Sequence, residues 1–289
     1  MGLDGLGRSM SAAAKRQPAR RWAGRMIAPL SDAGVGTQSS FVAREFEMGQ
    51  GGPAILHISA QGLYRAFVNG ARVGEVLLTP GWTCYDDRIA YQSHDVSALL
   101  KTGQNRLEIW LGDGWFRSQM MWAEAPILNC WGDRIAAIAE IVSGDAVVVA
   151  SDAQWRSGLL PVMKSGIYYG EDYDARVTPV ETHGVEEIGF DTGLLVPHET
   201  APVRELAAMA PIDHWSDTEG RMVWDFGQNA GAYLRFTATG TAGAILRLEH
   251  AEVLGPDRHF DNRNYRSARG AVVYTLKGGS ETYAPFFTF

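Results

Sequence analysis

Four short segments combine a tryptophan or tyrosine with glycine and acidic side chains: TPGWTCYDDR (79–88), LGDGWF (111–116), NCWGDR (129–134) and YYGEDYDAR (168–176). Aromatic faces stack on sugar rings, Asp, Asn and Arg side chains hydrogen-bond hydroxyls, and Asp carboxylates with backbone carbonyls build calcium sites. These clusters supply Trp82, Trp115, Asp133 and Arg134 as candidate carbohydrate-binding residues. The competing assignment is structural, with the rings filling a core and the Asp and Arg residues pairing inside turns.

Signatures of common enzymes are missing. The chain has no GxGxxG opening a helix, no P-loop, no GxSxG elbow, no HExxH and no CxxC. Its seven histidines are scattered without metal-ligand spacing. Glycosidases need two carboxylates flanking a sugar bond. Glu249 and Glu252 in LEHAEVL come nearest to such a pair, but their placement at a strand end suits solvated or turn-stabilising roles. No catalytic residue is assigned.

The elements that must carry these clusters are short. FVAREF, AILHISA, LYRAFVN, NRLEIWLG, RIAAIAEIVS and AVVVAS alternate with the period of two of β-strands, and RMVWDF, GAYLRFTA, AILRLEHAEV and AVVYTLKG do so later. In LYRAFVN, Tyr64, Ala66 and Val68 share one face, whereas RIAAIAEIVS is apolar on both faces and is expected to be fully buried. Gly-, Pro- and Asn-rich turns separate the segments, among them Gln50-Gly51-Gly52-Pro53 and Asn69-Gly70. DVSALL, with Asp95 as N-cap, is at most one helical turn.

The fold class expected is all-β, with two consecutive antiparallel β-sandwich (jelly-roll-like) domains. A leader over 1–21 precedes the first sandwich at 22–180, a linker follows at 181–210, and the second sandwich occupies 211–289. That second sandwich is expected to be incomplete, because ETYAPFFTF ends the chain on an apolar strand with no turn or polar tail. Such an exposed edge, centred on Phe286 to Phe289, predicts self-association.

A formal charge of -7 argues against nucleic acid and anionic membrane surfaces as partners, leaving neutral ligands such as sugars. No apolar run approaches the roughly 20 residues that span a bilayer. The basic opening segment lacks an apolar core, so no signal peptide is predicted and cytoplasm is favoured over periplasm. Cys84 and Cys130 are expected as two buried thiols rather than a disulfide.

Taken in order, these motifs resemble the N-terminal β region of glycoside hydrolase family 78, the bacterial α-L-rhamnosidases. GLYRAFVNGARVGEVLLTPGWTCYDDRIAYQSHDVSALLKTGQNRLEIWLGDGWFRS, WGDR and YGEDYDAR are similar to the family's first β domain. VWDFGQNAGAYLRF, LRLEHAEVL, DNRNYRSARGAVVYTLKGG and YAPFFTF are similar to the β domain preceding its catalytic barrel. The resemblance covers about residues 22 to 289. It implies inverting hydrolysis of terminal α-L-rhamnose by carboxylates on an (α/α)6 barrel, which is absent from this chain. Rhamnose-containing glycosides and that barrel are the implied partners. The alternative is a stand-alone rhamnose-binding module. Some related first domains bind rhamnose through calcium, and the resemblance places that site, for metal and sugar alike, at Asn69 and Asp113 on the same end of neighbouring strands. No cofactor beyond calcium is implied.

Overall fold

A computed structural model describes residues 20–49, 52–120 and 127–289. The first part of the chain forms β1 (Ile27–Pro29), β2 (Ser40–Met48), β3 (Ala54–Gln61), β4 (Leu63–Val68), β5 (Ala71–Arg72), β6 (Ile89–Asp95) and β7 (Gly103–Gly112). A single helical turn, α1 (Gly114–Arg117), leads on to β8 (Ala136–Ser143), β9 (Ala146–Ala150), β10 (Arg156–Leu159), β11 (Val162–Gly166), β12 (Gly170–Asp174), β13 (Glu181–Glu187) and β14 (Leu195–Pro197).

Twelve of these strands make one sheet, ordered β14-β6-β3-β8-β1-β13-β10-β2-β7-β4-β5 with β9 beside β8. The sheet doubles over at β1–β13, so its two halves bury one core between them. Tyr64, Ala66 and Val68 of β4 and Leu107, Ile109 and Leu111 of β7 meet Leu56, Ile58, Ala137, Ala139 and Ile141 of β3 and β8 there. Each fully buried aliphatic chain in such a core contributes about 1.5–3 kcal/mol. β8 is buried on both faces over its first six residues, as its unbroken apolar sequence demands. The turn after β6 is a 3-10 turn at Ser97–Leu99, with the Asp95 carboxylate accepting from the Ser97 N–H.

The second part contains β15 (Asp213–Ser216), β16 (Met222–Asp225), β17 (Phe236–Gly240), β18 (Ile245–Glu249), β19 (Val253–Leu254), β20 (Phe260–Asp261), β21 (Ala271–Thr275) and β22 (Gly279–Tyr283). Its main sheet runs β11-β12-β21-β18, with β12 parallel to β21. Tyr274, Val272 and Leu246 from that sheet pack on Phe236 and Tyr283 of the β17–β22 ribbon.

The boundaries differ from the expected ones in three ways. β13 and β14 belong to the first sheet, so residues 181–197 are not linker. Only residues 198–212 connect the units without regular structure, pinned where the Leu77 N–H donates to the Val203 carbonyl. The β11–β12 hairpin, placed by sequence in the first sandwich, completes the second unit's sheet instead. β12–β21 and β14–β6 also break the expected all-antiparallel pattern.

Residues 284–289 do not form the expected exposed strand. Phe287 is 1% exposed and Thr288 is buried, leaving Phe289 as the exposed phenylalanine of the three. Of the expected leader, residues 1–19 lie outside the described residues, as do Gln50 and Gly51 of the first turn; Arg20 is already tied to the buried Glu140. Cys84 and Cys130 are free thiols, as expected, but both are exposed rather than buried because they sit in loops at the end of the sandwich.

Candidate functional site: an aromatic platform at the end of the first sandwich

Three of the four aromatic clusters converge. The ring of Trp82, 57% exposed, stacks on Trp115 with centroids 6.2 Å apart and planes 10° from parallel. Trp131 meets Trp82 edge-on at 6.4 Å, and Tyr85 beneath packs edge-on against Trp131 and Phe116 at 5.1 and 5.4 Å. Edge-to-face and offset contacts of this kind are the favoured aromatic geometries. Tyr85 and Phe116 are buried with Ile89, Ile138 and Leu195, so the platform stands on a fixed base.

Local structure explains why these loops hold the rings. The Trp82 loop is sewn to the sheet by paired bonds between Tyr64 and Thr79, by Gln92 Nε2 on the Pro80 carbonyl and by the Tyr85 hydroxyl on the Gly81 carbonyl. Trp115 sits on α1, which starts at Gly114 with φ +54°. A Cβ there would come within 2.5 Å of Leu63, so only glycine permits the turn that swings Trp115 outward.

Asp113 does other work. Its carboxylate accepts from Arg117 Nε at 2.6 Å and from the Gly36 N–H at 2.8 Å, and burial pushes its pKa up despite that partner. Arg117 is buried and forked onto both Asp32 oxygens at 2.6 and 2.7 Å, with a further bond to the Asp133 carbonyl. One guanidinium thus ties together the loops at 32–36, 113–117 and 133. Neither Arg117 nor Asp32 was singled out from sequence. The i,i+4 spacing of Asp113 and Arg117 was a visible hint, while the contact with Asp32 spans 85 residues of sequence.

Asn69 and Asp113 do not share a site. Val68 pairs with Leu107 and Leu63 with Gly112, so Asn69 and Asp113 lie beyond opposite ends of the β4–β7 pair, seven residues apart in register and thus about 23 Å by strand rise. Asn69 adopts φ 52°, accepts from the Arg106 N–H, and donates to the Leu99 carbonyl and to Asn105 Oδ1. It closes a turn and cannot join Asp113 on one calcium ion. Among the described residues, no group of three or more His, Cys, Asp or Glu side chains is arranged to hold a metal.

Of the remaining candidates, Asp133 is exposed beside Trp131, whereas Arg134 pairs with Glu186 at 2.7 Å. Glu249 pairs with Arg247, and Glu252 accepts from Asn264; neither is buried. The fourth cluster, YYGEDYDAR, is not part of the platform. Its Glu171 is wholly buried in the seam between the units, where Tyr283 and the N–H groups of Phe286 and Phe287 donate to it.

Successive β-sandwich units that carry an exposed stack of tryptophan rings define the class: an all-β region with a surface suited to covering a sugar ring. The comparisons identify the family. Residues 52–212 match the α-L-rhamnosidase N-terminal domain, and residues 216–289 match the bacterial α-L-rhamnosidase concanavalin-like domain. The chain belongs to the bacterial α-L-rhamnosidase family.

An α-L-rhamnosidase of Streptomyces avermitilis is 35% identical over 256 residues, covering 82% of this chain and 24% of that protein. One from Formosa agariphila is 27% identical over 254 residues, covering 82% and 27%. Among solved structures, the native enzyme of Aspergillus terreus superposes with a TM-score of 0.87 at 30% identity, over 92% of this chain and 33% of that one. The Streptomyces avermitilis enzyme complexed with L-rhamnose gives 0.80 at 33% identity, over 88% and 26%. The chain spans about a quarter of the length of these curated relatives.

Proposed function

We propose that this chain is the N-terminal accessory part of an α-L-rhamnosidase, an enzyme releasing terminal α-L-rhamnose from glycosides, and that it binds and supports rather than cleaves. The observation that carries this reading is the match of both units, in order, to the two β domains of the family while the chain spans a quarter of its relatives' length. The chemistry belongs to the barrel that the family resemblance implies.

A second reading, direct binding of rhamnose-containing glycosides, is favoured by the exposed Trp82–Trp115 stack. A pyranose presents an apolar face of C–H groups, and rhamnose adds a methyl group. An indole face held open to solvent on a rigid base gains by covering such a surface. Calorimetric titration with an aryl α-L-rhamnoside tests both readings, since saturable binding and steady turnover give different heat signals.

A further inference from the structure

Trp115 belongs to two packing clusters at once. One contains the platform's base of Tyr85 and Phe116, and the other contains Leu63, Phe41 and Phe287. Phe287 lies against Gly112, the residue that ends β7. A Cβ on Gly112 would approach the Phe287 ring within 2.6 Å, so the ring rests directly on the backbone. The platform and the seam between the two units therefore share one side chain.

The seam is closed by a strap. After β22 the chain crosses back onto the first sandwich, and the Phe286 and Phe287 N–H groups donate to the Glu171 carboxylate at 2.9 Å each. The Tyr283 hydroxyl is a third donor, and Arg65 covers the Phe286 ring at 4.5 Å while Trp110 packs on it at 4.9 Å. Glu171 is fully buried. Releasing the strap would strip a buried carboxylate of both backbone donors together and leave it only the Tyr283 hydroxyl, which favours a closed seat over a partly open one.

We propose that ligand stacking on the platform is coupled through Trp115 to closure of this strap, so that a bound glycoside tightens the docking of the second unit on the first. The coupling rests on the glycoside-binding reading of the platform. Trp115 is held from beneath by Leu63 and the Phe287 cluster and is stacked from above by Trp82. A ligand that fixes the stack favours the arrangement in which Phe287 is seated. By linkage, a seated strap favours the ligand equally.

The test uses L-rhamnose as probe. Amide exchange at Phe286 and Phe287 reads the latch, and calorimetry on the intact chain and on E171Q and Y283F reads the platform; Y283F deletes one donor and guards against misfolding of E171Q. The proposal expects saturating L-rhamnose to slow exchange at both amides, and either variant to weaken L-rhamnose binding about fivefold. Binding that W82A abolishes, but that leaves amide exchange unchanged and is indifferent to both latch variants, overturns the coupling while sparing the platform. Absence of L-rhamnose binding to the intact chain overturns both.

Discussion

Arg117 shows how far a residue's role depends on partners remote in sequence. It holds Asp113 and Asp32 with its side chain 2% exposed. Breaking a buried pair from one side leaves charges without partners, at a cost of about 3–5 kcal/mol. R117A should lower the free energy of unfolding by about that amount in a urea titration, whereas W82A, at an exposed position, should change it by less than about 1 kcal/mol. A loss near zero for R117A would mean that the three loops are held by something else. Trp82 and Trp115 were singled out from their Gly-rich turns, and the structure stacks the two rings on each other. Asp113 was misread because its acidic, glycine-flanked setting looks the same whether the carboxylate faces solvent or a buried arginine.

His57 carries a prediction in pH. Burial, aided by the nearby Arg20 and opposed by Glu140, lowers its pKa from an ordinary 6.5 to about 4. The folded state thus holds this imidazole neutral where the unfolded chain would protonate it. Its contribution to stability is present above 6.5 and is lost as pH falls from 6.5 toward 4. A side-chain NMR titration should place the His57 midpoint near 4, and H57Q should flatten the decline in stability over that window. A midpoint near 6.5 would contradict the burial argument.

Among elements, those with a clear apolar pattern, alternating or unbroken, were readable and those without were not. β2, β3, β4, β7, β8 and β9 follow from their apolar pattern; the pairing of β4 buries Tyr64, Ala66 and Val68 as that pattern nominated, whereas in β9 Val147 stays exposed. RSGL, GEDYD and ETHGVEE, which become β10, β12 and β13, carry charges or glycines over four to seven residues. Their strand state comes from neighbours supplied by distant sequence, as when Glu171 to Asp174 pair with Val272 to Thr275. No local period records such pairing, which is why the linker was placed too early. The shared sheet also has a thermodynamic consequence. With β11 and β12 lent to the second unit and the strap returned to the first, neither unit is complete alone, so calorimetric unfolding should show one cooperative transition rather than two. Two separated transitions would show that the seam is weak.

At the scale of the molecule, the proposed role is binding at the Trp82–Trp115 surface in support of a catalytic body, and no acid–base pair is identified among the described residues. The measurement that bears on this most directly is calorimetric titration of an aryl α-L-rhamnoside into the intact chain and into W82A, first with calcium and then with excess chelator. The account predicts saturable heats that return to baseline, persist in chelator and vanish in W82A. Sustained heat flow accompanied by release of the aryl group would contradict it by showing turnover. Binding abolished by chelator but untouched in W82A would move the site away from the platform.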